Sequence, residues 1–293
     1  MDLPALRVTC WGTRGSIASP GPATARFGGN TPCLEVRSPD NRCLIFDAGT
    51  GIRVLGRRLT SELGPVRADL FLTHFHWDHI QGVPFFGPLY DPKTFIRIHG
   101  ARQGDVDIQT LFAGLMGPIY FPIPYEALAA TLEFRHLDGQ SWVQDGVEVA
   151  SMRVRHPAYT YGYRVRVGGA MLAYMPDNEL IGAEYPVGGE RWRRELREFL
   201  RGVDLLFHDA MFTDDEYPSR EGWGHSTFTQ AARMADEAGV RRLFFFHHAP
   251  ERTDAELLRI LDDLRTDLAR QGSALELGVA AEGEELLVQE QKT

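Results

Sequence analysis

Residues 70–82 read "LFLTHFHWDHIQG". The apolar run from Leu70 to Leu72 has the character of a buried strand, and it delivers His74, His76, Asp78 and His79 within six residues. Four such side chains meeting at a buried strand end by coincidence would leave several polar groups unpaired, which is costly. A divalent cation removes that cost, because imidazole nitrogen and carboxylate oxygen together suit a borderline ion such as zinc. The stretch therefore predicts one part of a metal centre and requires other segments to complete it.

Three further residues stand where an apolar strand leaves its sheet. His156 ends "VASMRVRH" ahead of Pro157, Asp177 ends "AMLAYMPD", and His247 ends "RRLFFFH". Strands lying side by side would bring these ends to one rim. A site for two ions needs about seven or eight protein donors. His74, His76 and His156 would serve one ion, Asp78, His79 and His247 the other, with Asp177 between them. Periodicity leaves open whether His247 or its neighbour His248 faces inward. Zinc is the first expectation for the pair of divalent ions, with manganese or iron also compatible.

Around these residues the N-terminal third reads as short strands, "LRVTCWGT", "TPCLEVRS" and "CLIFDAG", separated by the turn sequences "GGN" and "SPDN". A helix is expected over 51–63, then the strand "ADLFLTH". Segment 101–130 mixes aromatics with Gly and Pro, the pattern of a lid or an interface insertion. Strands resume at 131–137, 147–156, 161–167 and 170–177, followed by helices at 189–202, 227–239 and 253–271 alternating with strands at 203–210 and 241–248. Ser226 or Thr227 would cap the second of these helices. With no repeat or low-complexity linker, the pattern predicts one α/β domain over 1–293, two sheets between helical layers.

Apolar content of 43% and charged content of 24% are ordinary for a globular chain. Runs such as "RRLFFFHHAP" are too short to span a membrane, and no basic, apolar leader opens the chain, so a soluble cytoplasmic protein is expected. Thirty-one basic against forty acidic residues give a formal net charge of −9, which repels polyanions and argues against a large nucleic acid as partner. Cys10, Cys33 and Cys43, odd in number and widely spaced, are expected to be small buried hydrophobes.

"THFHWDH" resembles the H-x-H-x-D-H signature of the metallo-β-lactamase superfamily, and His156, Asp177 and His247 follow in that superfamily's order. The resemblance runs from "GTRGS" to "HHAP" and implies a four-layer αβ/βα sandwich holding two metals, with His247 rather than His248 as ligand. It does not choose a substrate, since thioesters, lactones, β-lactams and phosphodiesters are all hydrolysed on this fold. "GWGHSTFTQAARMADEAGV" resembles the H-S-T motif of ribonuclease Z-like phosphodiesterases, and "HPAYTYGYRV" resembles their third motif. That likeness implies His225 as the acid that protonates the leaving oxygen. "LLFHDAMF" resembles the group's H-E-A-T-F stretch and implies Asp209 as its orienting carboxylate, with Asp standing where the group has Glu.

The Gly- and Lys-rich arm with which ribonuclease Z grips transfer RNA has no counterpart here, and "CWGTRGS", "RFGGNTPCLEV" and "FDAGTGIRVLG" look closer to small bacterial relatives acting on cyclic nucleotides. A dinuclear phosphodiesterase of small or cyclic nucleotides is therefore the expectation. Transfer RNA 3′-processing and thioester or lactone hydrolysis are the alternatives. Asp78 would both bind a metal and orient, or take a proton from, the attacking water. Arg14 in "GTRGS" is a weaker substrate contact, Phe85, Phe86, Tyr120 and Phe121 are candidates for stacking on a base, for core packing or for a homodimer interface, and His208, His99 and His136 are read as structural.

Overall fold

A computed structural model describes residues 5–62 and 64–289. Strands β1 (Ala5–Gly12), β2 (Cys33–Arg37) and β3 (Cys43–Phe46) form the expected antiparallel meander. Helix α1 (Gly51–Ser61) follows, then β4 (Arg67–Phe71), the one-turn helix α2 (Trp77–Ile80), β5 (Phe95–Gly100), α3 (Ile108–Gly114) and β6 (Thr131–His136). The second half contains β7 (Ser141–Gln144), β8 (Val147–Arg153), β9 (Tyr161–Val167), β10 (Ala170–Met175), α4 (Gly189–Leu200), β11 (Leu205–Asp209), α5 (Phe228–Glu237), β12 (Arg242–Phe246), α6 (Asp254–Gln271), β13 (Glu276–Val279) and β14 (Glu285–Gln289). Leu63, at the end of the helix expected over 51–63, lies outside the described residues.

The strands make two seven-stranded sheets, ordered β14-β1-β2-β3-β4-β5-β6 and β13-β12-β11-β10-β9-β8-β7. Leu34, Phe46 and Phe71 from the first sheet pack against Tyr163, Leu172 and Phe207 from the second. Ile52 and Leu55 of α1 cover the outer face of the first sheet, and Trp192, Ala231 and Leu257 of α4, α5 and α6 cover that of the second. This is the four-layer αβ/βα arrangement. Each helix is apolar on the side it buries, and Thr227, not Ser226, caps α5, accepting from the Gln230 amide in a capping box.

Both sheets change from antiparallel to parallel part-way across: β3, β4, β5 and β6 run parallel, as do β10, β11, β12 and β13. Parallel neighbours end at the same edge, so their C-terminal loops gather on one rim. The strand expected over 68–74 leaves the ladder early. The Leu72 amide still bonds the His99 carbonyl at 2.8 Å, but the Thr73 amide turns to Asp47 Oδ1 at 2.8 Å. The strand expected to reach His156 likewise ends at Arg153. In both cases the histidines sit on the turn that follows.

Strands β7, β13 and β14 and helix α3 were not expected from periodicity. The three cysteines are buried free thiols, and burial pushes that of Cys43 up to about 12. Among the described residues no helix is long and apolar enough to cross a membrane.

Candidate metal centre

The rim brings all seven expected donors together. His74 follows β4, His76 lies on extended backbone, and the single turn of α2 then raises Asp78 and His79 beside them, with the His79 amide bonded to the His76 carbonyl at 3.0 Å. His156, Asp177 and His247 arrive from beyond β8, β10 and β12. His74 Nε2 and His156 Nε2 each stand 3.7 Å from Asp177 Oδ2, and His76 Nδ1 stands 3.1 Å from His156 Nε2. On the other side His79 Nε2 is 3.0 Å from Asp177 Oδ1 and 3.3 Å from Asp78 Oδ2, while His247 Nε2 is 3.0 Å from Asp78 Oδ2 and 3.5 Å from Asp177 Oδ1. Two donor groups thus face one oxygen each of Asp177. Two threes among these donors, His74, His76 and His156 and, separately, Asp78, His79 and His247, have their ligand atoms within 4.8 Å of one another.

These groups fit a pair of cations better than they fit one another. His74 Nε2, His79 Nε2 and Asp177 Oδ1 are buried and make no hydrogen bond of acceptable geometry, although the last two approach to 3.0 Å. They aim at common points, not along a mutual bond. Among the described residues the ion-pair partners of Asp78 and Asp177 are histidines only, so two buried carboxylates lack a permanent positive charge, an arrangement that is costly without one. Burial drives the His74 imidazole well below its usual range and that of His156 down to about 3, keeping both neutral, the form that donates a lone pair to a metal. His79 goes the other way. Burial opposes its charge, but Asp177, Asp78 and Asp47 together hold it well above the usual range, and its proton occupies a place where positive charge is demanded.

Neighbouring groups hold the imidazoles in place. Asp47, which follows β3 at φ 59°, puts Oδ2 2.8 Å from His79 Nδ1 and 3.0 Å from the Tyr174 hydroxyl, and its Oδ1 accepts from the Thr73 amide. Ser16 donates its amide to Asp78 Oδ2 at 2.8 Å. Gly15 passes so close to His247 that a Cβ there would lie 2.3 Å from Nδ1. Sequence reasoning missed Asp47, although "IFDAG" carries the same signal as Asp177, an acid directly after an apolar strand.

Asp209, the last residue of β11, reaches His225 Nδ1 at 2.8 Å, so the shorter acid spans the gap. His225 stacks on His247 with ring centroids 4.9 Å apart, and one of its nitrogens lies within 4.8 Å of donor atoms of His156 and Asp177. Burial disfavours its charged form, yet the Asp209 carboxylate, helped by Asp177 and Asp78, pushes its pKa up to about 9.

Other residues fall elsewhere. His248 points away, with Nε2 3.0 Å from the Ala280 carbonyl. His208 is buried between the Asp209 carbonyl and Asn178, His99 pairs with Asp69 and stacks on Phe71, and His136 is exposed at the end of β6. One expectation fails. Arg14 is fully buried, and its guanidinium donates to the carbonyls of Gly28, Ala249 and Arg252, so it binds loops together and cannot reach a substrate. Phe86 is packed in the core beside α1. Phe85 and Tyr120 are exposed, Phe121 stands edge-on to Phe85, and Tyr120 stands edge-on to Trp77, next to Asp78.

This fold recurs in known proteins. Residues 42–248 match the family model of the β-lactamase superfamily domain, and the chain belongs to that family. Ribonuclease Z of Haloferax volcanii is 28% identical, the alignment covering 89% of each chain. Among solved structures, the metallo-β-lactamase fold protein YhfI of Bacillus subtilis covers 97% of this chain and 99% of its own at TM-score 0.69 and 18% identity. The short form of human tRNase Z covers 96% of this chain and 98% of its own at TM-score 0.66 and 20% identity. At such identities the structures speak for the fold alone. The relatives do correct one expectation: net charge argued against a large nucleic acid as partner, yet the chain aligns over nearly its whole length with a ribonuclease. A total of charges says nothing of their distribution over the face that meets a substrate.

Proposed function

We propose that the chain is a phosphodiesterase holding one divalent ion with His74, His76 and His156 and a second with Asp78, His79 and His247, Asp177 lying between them. Its class, a metal-dependent hydrolase of the phosphodiesterase type, follows from the family and from the ribonuclease Z relatives. When bound, such a pair of ions supplies an activated water near neutral pH and neutralises the non-bridging oxygens of a phosphate. Asp78, held by the Ser16 amide, orients that water. His225 gives its proton to the departing oxygen, and Asp209 keeps the imidazole charged and turned toward the substrate.

The observation that carries this reading is the 2.8 Å contact of His225 with Asp209 at the edge of the donor cluster. Hydrolysis of a thioester releases a thiolate and has less need of a strong acid on the leaving-group side, whereas an alkoxide leaving phosphorus must be protonated, a role worth on the order of 100- to 10,000-fold. The ribonuclease Z relatives favour an RNA phosphodiester. A second reading, a small or cyclic nucleotide, is favoured by the exposed rings of Tyr120 and Trp77, which stand edge-on to one another next to Asp78. In that reading segment 101–130 is a lid, and Tyr120 and Trp77 meet the base.

Metal analysis of the purified protein is the first step of the test. A panel of bis-p-nitrophenyl phosphate, cyclic AMP and GMP, precursor transfer RNA, a thioester and a lactone follows. His225→Ala should keep both metals and lose most phosphodiester turnover. Cleavage of the thioester or lactone alone, or full activity in His225→Ala, would overturn the proposal.

A further inference from the structure

Glu179 has no place in the chemistry just described, yet it is fully buried two residues beyond Asp177. Its carboxylate is crowded with donors. Oε1 lies 2.6 Å from the Tyr217 hydroxyl and 2.9 Å from the Gly222 amide, and Oε2 lies 2.5 Å from the Tyr185 hydroxyl and 2.9 Å from the Gly224 amide. Gly222 and Gly224 have φ of +89° and +91°, a left-handed conformation that residues with a Cβ rarely adopt. Both ends of the tight turn before His225 are therefore pinned to one side chain.

The turn also touches His156. The Gly224 carbonyl is 3.0 Å from His156 Nδ1, and a Cβ on Gly224 would lie 2.1 Å from that nitrogen, so the approach leaves no slack. A carbonyl only accepts, so Nδ1 must carry the proton and Nε2 the lone pair. Nε2 is the atom that faces Asp177 and His76. The same segment is anchored from behind: the Glu179 amide donates to the Arg155 carbonyl at 2.8 Å, and the Arg155 amide donates to Asn178 Oδ1 at 3.1 Å.

From this geometry we infer that Glu179 is a positioning residue. Through the Gly222–Gly224 turn it sets the tautomer and place of His156 as a metal donor, and it sets the position of His225. The inference rests on the two-metal reading for its consequence, but the tautomer of His156 is measurable without it. Replacement by Gln keeps the volume and offers an amide group where two donors already point, so one edge of the turn must release. Outer partners of this kind typically change metal affinity by about 10- to 100-fold.

The test compares Glu179→Gln with the wild type by two readouts. In zinc titration against a competing chelator, the variant should hold one zinc as before and the second 10- to 100-fold more weakly. In ¹⁵N-labelled protein, with and without zinc, the Nδ1–H signal of His156 should be lost or exchange faster, while that of His79, bonded to Asp47, serves as the internal control and stays. Two zinc ions bound as in the wild type together with an unchanged His156 signal would overturn the inference. Should the wild type bind neither zinc, manganese nor iron, the metal reading fails and the His156 signal alone decides the positioning role. If Glu179→Gln does not fold, Tyr185→Phe, which removes a single donor from Oε2, decides by the same readouts: several-fold weaker second zinc and faster His156 exchange support the inference, and no change overturns it.

Discussion

Asp209→Asn isolates the charge that sustains the proposed acid. In the metal-free protein burial works against the His225 imidazolium, but the carboxylate 2.8 Å from Nδ1 prevails and pushes its pKa up to about 9, against about 6.5 for a free imidazole. The gap of roughly 2.5 units, at about 1.4 kcal/mol each, corresponds to about 3 kcal/mol. Because the folded value is raised, that stabilisation is fully present below the unfolded pKa of about 6.5 and is lost as pH rises through about 9. Urea unfolding of chelator-treated wild type should therefore show stability falling by up to about 3 kcal/mol across that window, and the slope should be much flatter in Asp209→Asn. An NMR titration of the His225 ring should show its pKa falling below that of the wild type. Asp177 and Asp78 also favour its charge, so part of the shift persists. Asp209 accepts the amides of Asn178 and Met211 as well, so the double variant with His225→Gln is needed to separate the pair from these backbone bonds. In the metal-loaded enzyme the ions lower the same pKa toward neutrality, where a general acid works best, and Asp209→Asn should cost about 100-fold or more in turnover. A variant whose His225 still titrates near 9, or that turns over as the wild type does, would refute this account.

Asp177→Ala should abolish tight binding at both sites by elemental analysis, since each donor group shares one of its oxygens, while the metal-free fold, relieved of a buried carboxylate, should remain cooperative in thermal unfolding. Asp47→Ala leaves every proposed donor in place yet frees the His79 ring, so metal affinity should fall about 10- to 100-fold in chelator competition. Gly15→Ala sets a Cβ 2.3 Å from His247 Nδ1 and should weaken the ion shared by Asp78, His79 and His247, leaving its partner bound. Zinc at 100 times its dissociation constant should raise stability by about 2.7 kcal/mol, read as a higher Tm that a chelator reverses; a Tm unchanged by zinc, manganese and iron alike would mean that the rim holds no ion.

What the sequence disclosed and what it concealed divide along a physical line. Each expected donor follows an apolar strand, a signal contained within a few consecutive residues, and parallel neighbours must end on the same edge, so seven side chains far apart in the chain could be expected on one rim. Glu179 and Ser16 carry no such signal. Apart from Tyr185, their partners lie far off in the chain, and nothing in "NELIG" or "RGSIA" says that a carboxylate will gather four donors or that an amide will meet Asp78. Arg14 misled for the opposite reason: a cation in a glycine-rich turn looks solvent-facing until three carbonyls, two of them more than 230 residues away, are seen to surround it. The net charge misled because it is a sum, whereas a substrate meets only the potential of one face. Ligand identity is thus local and legible, while ligand orientation is set by partners distant in the chain. For this rim, orientation decides whether a cluster of histidines is merely buried or holds its lone pairs toward a cation.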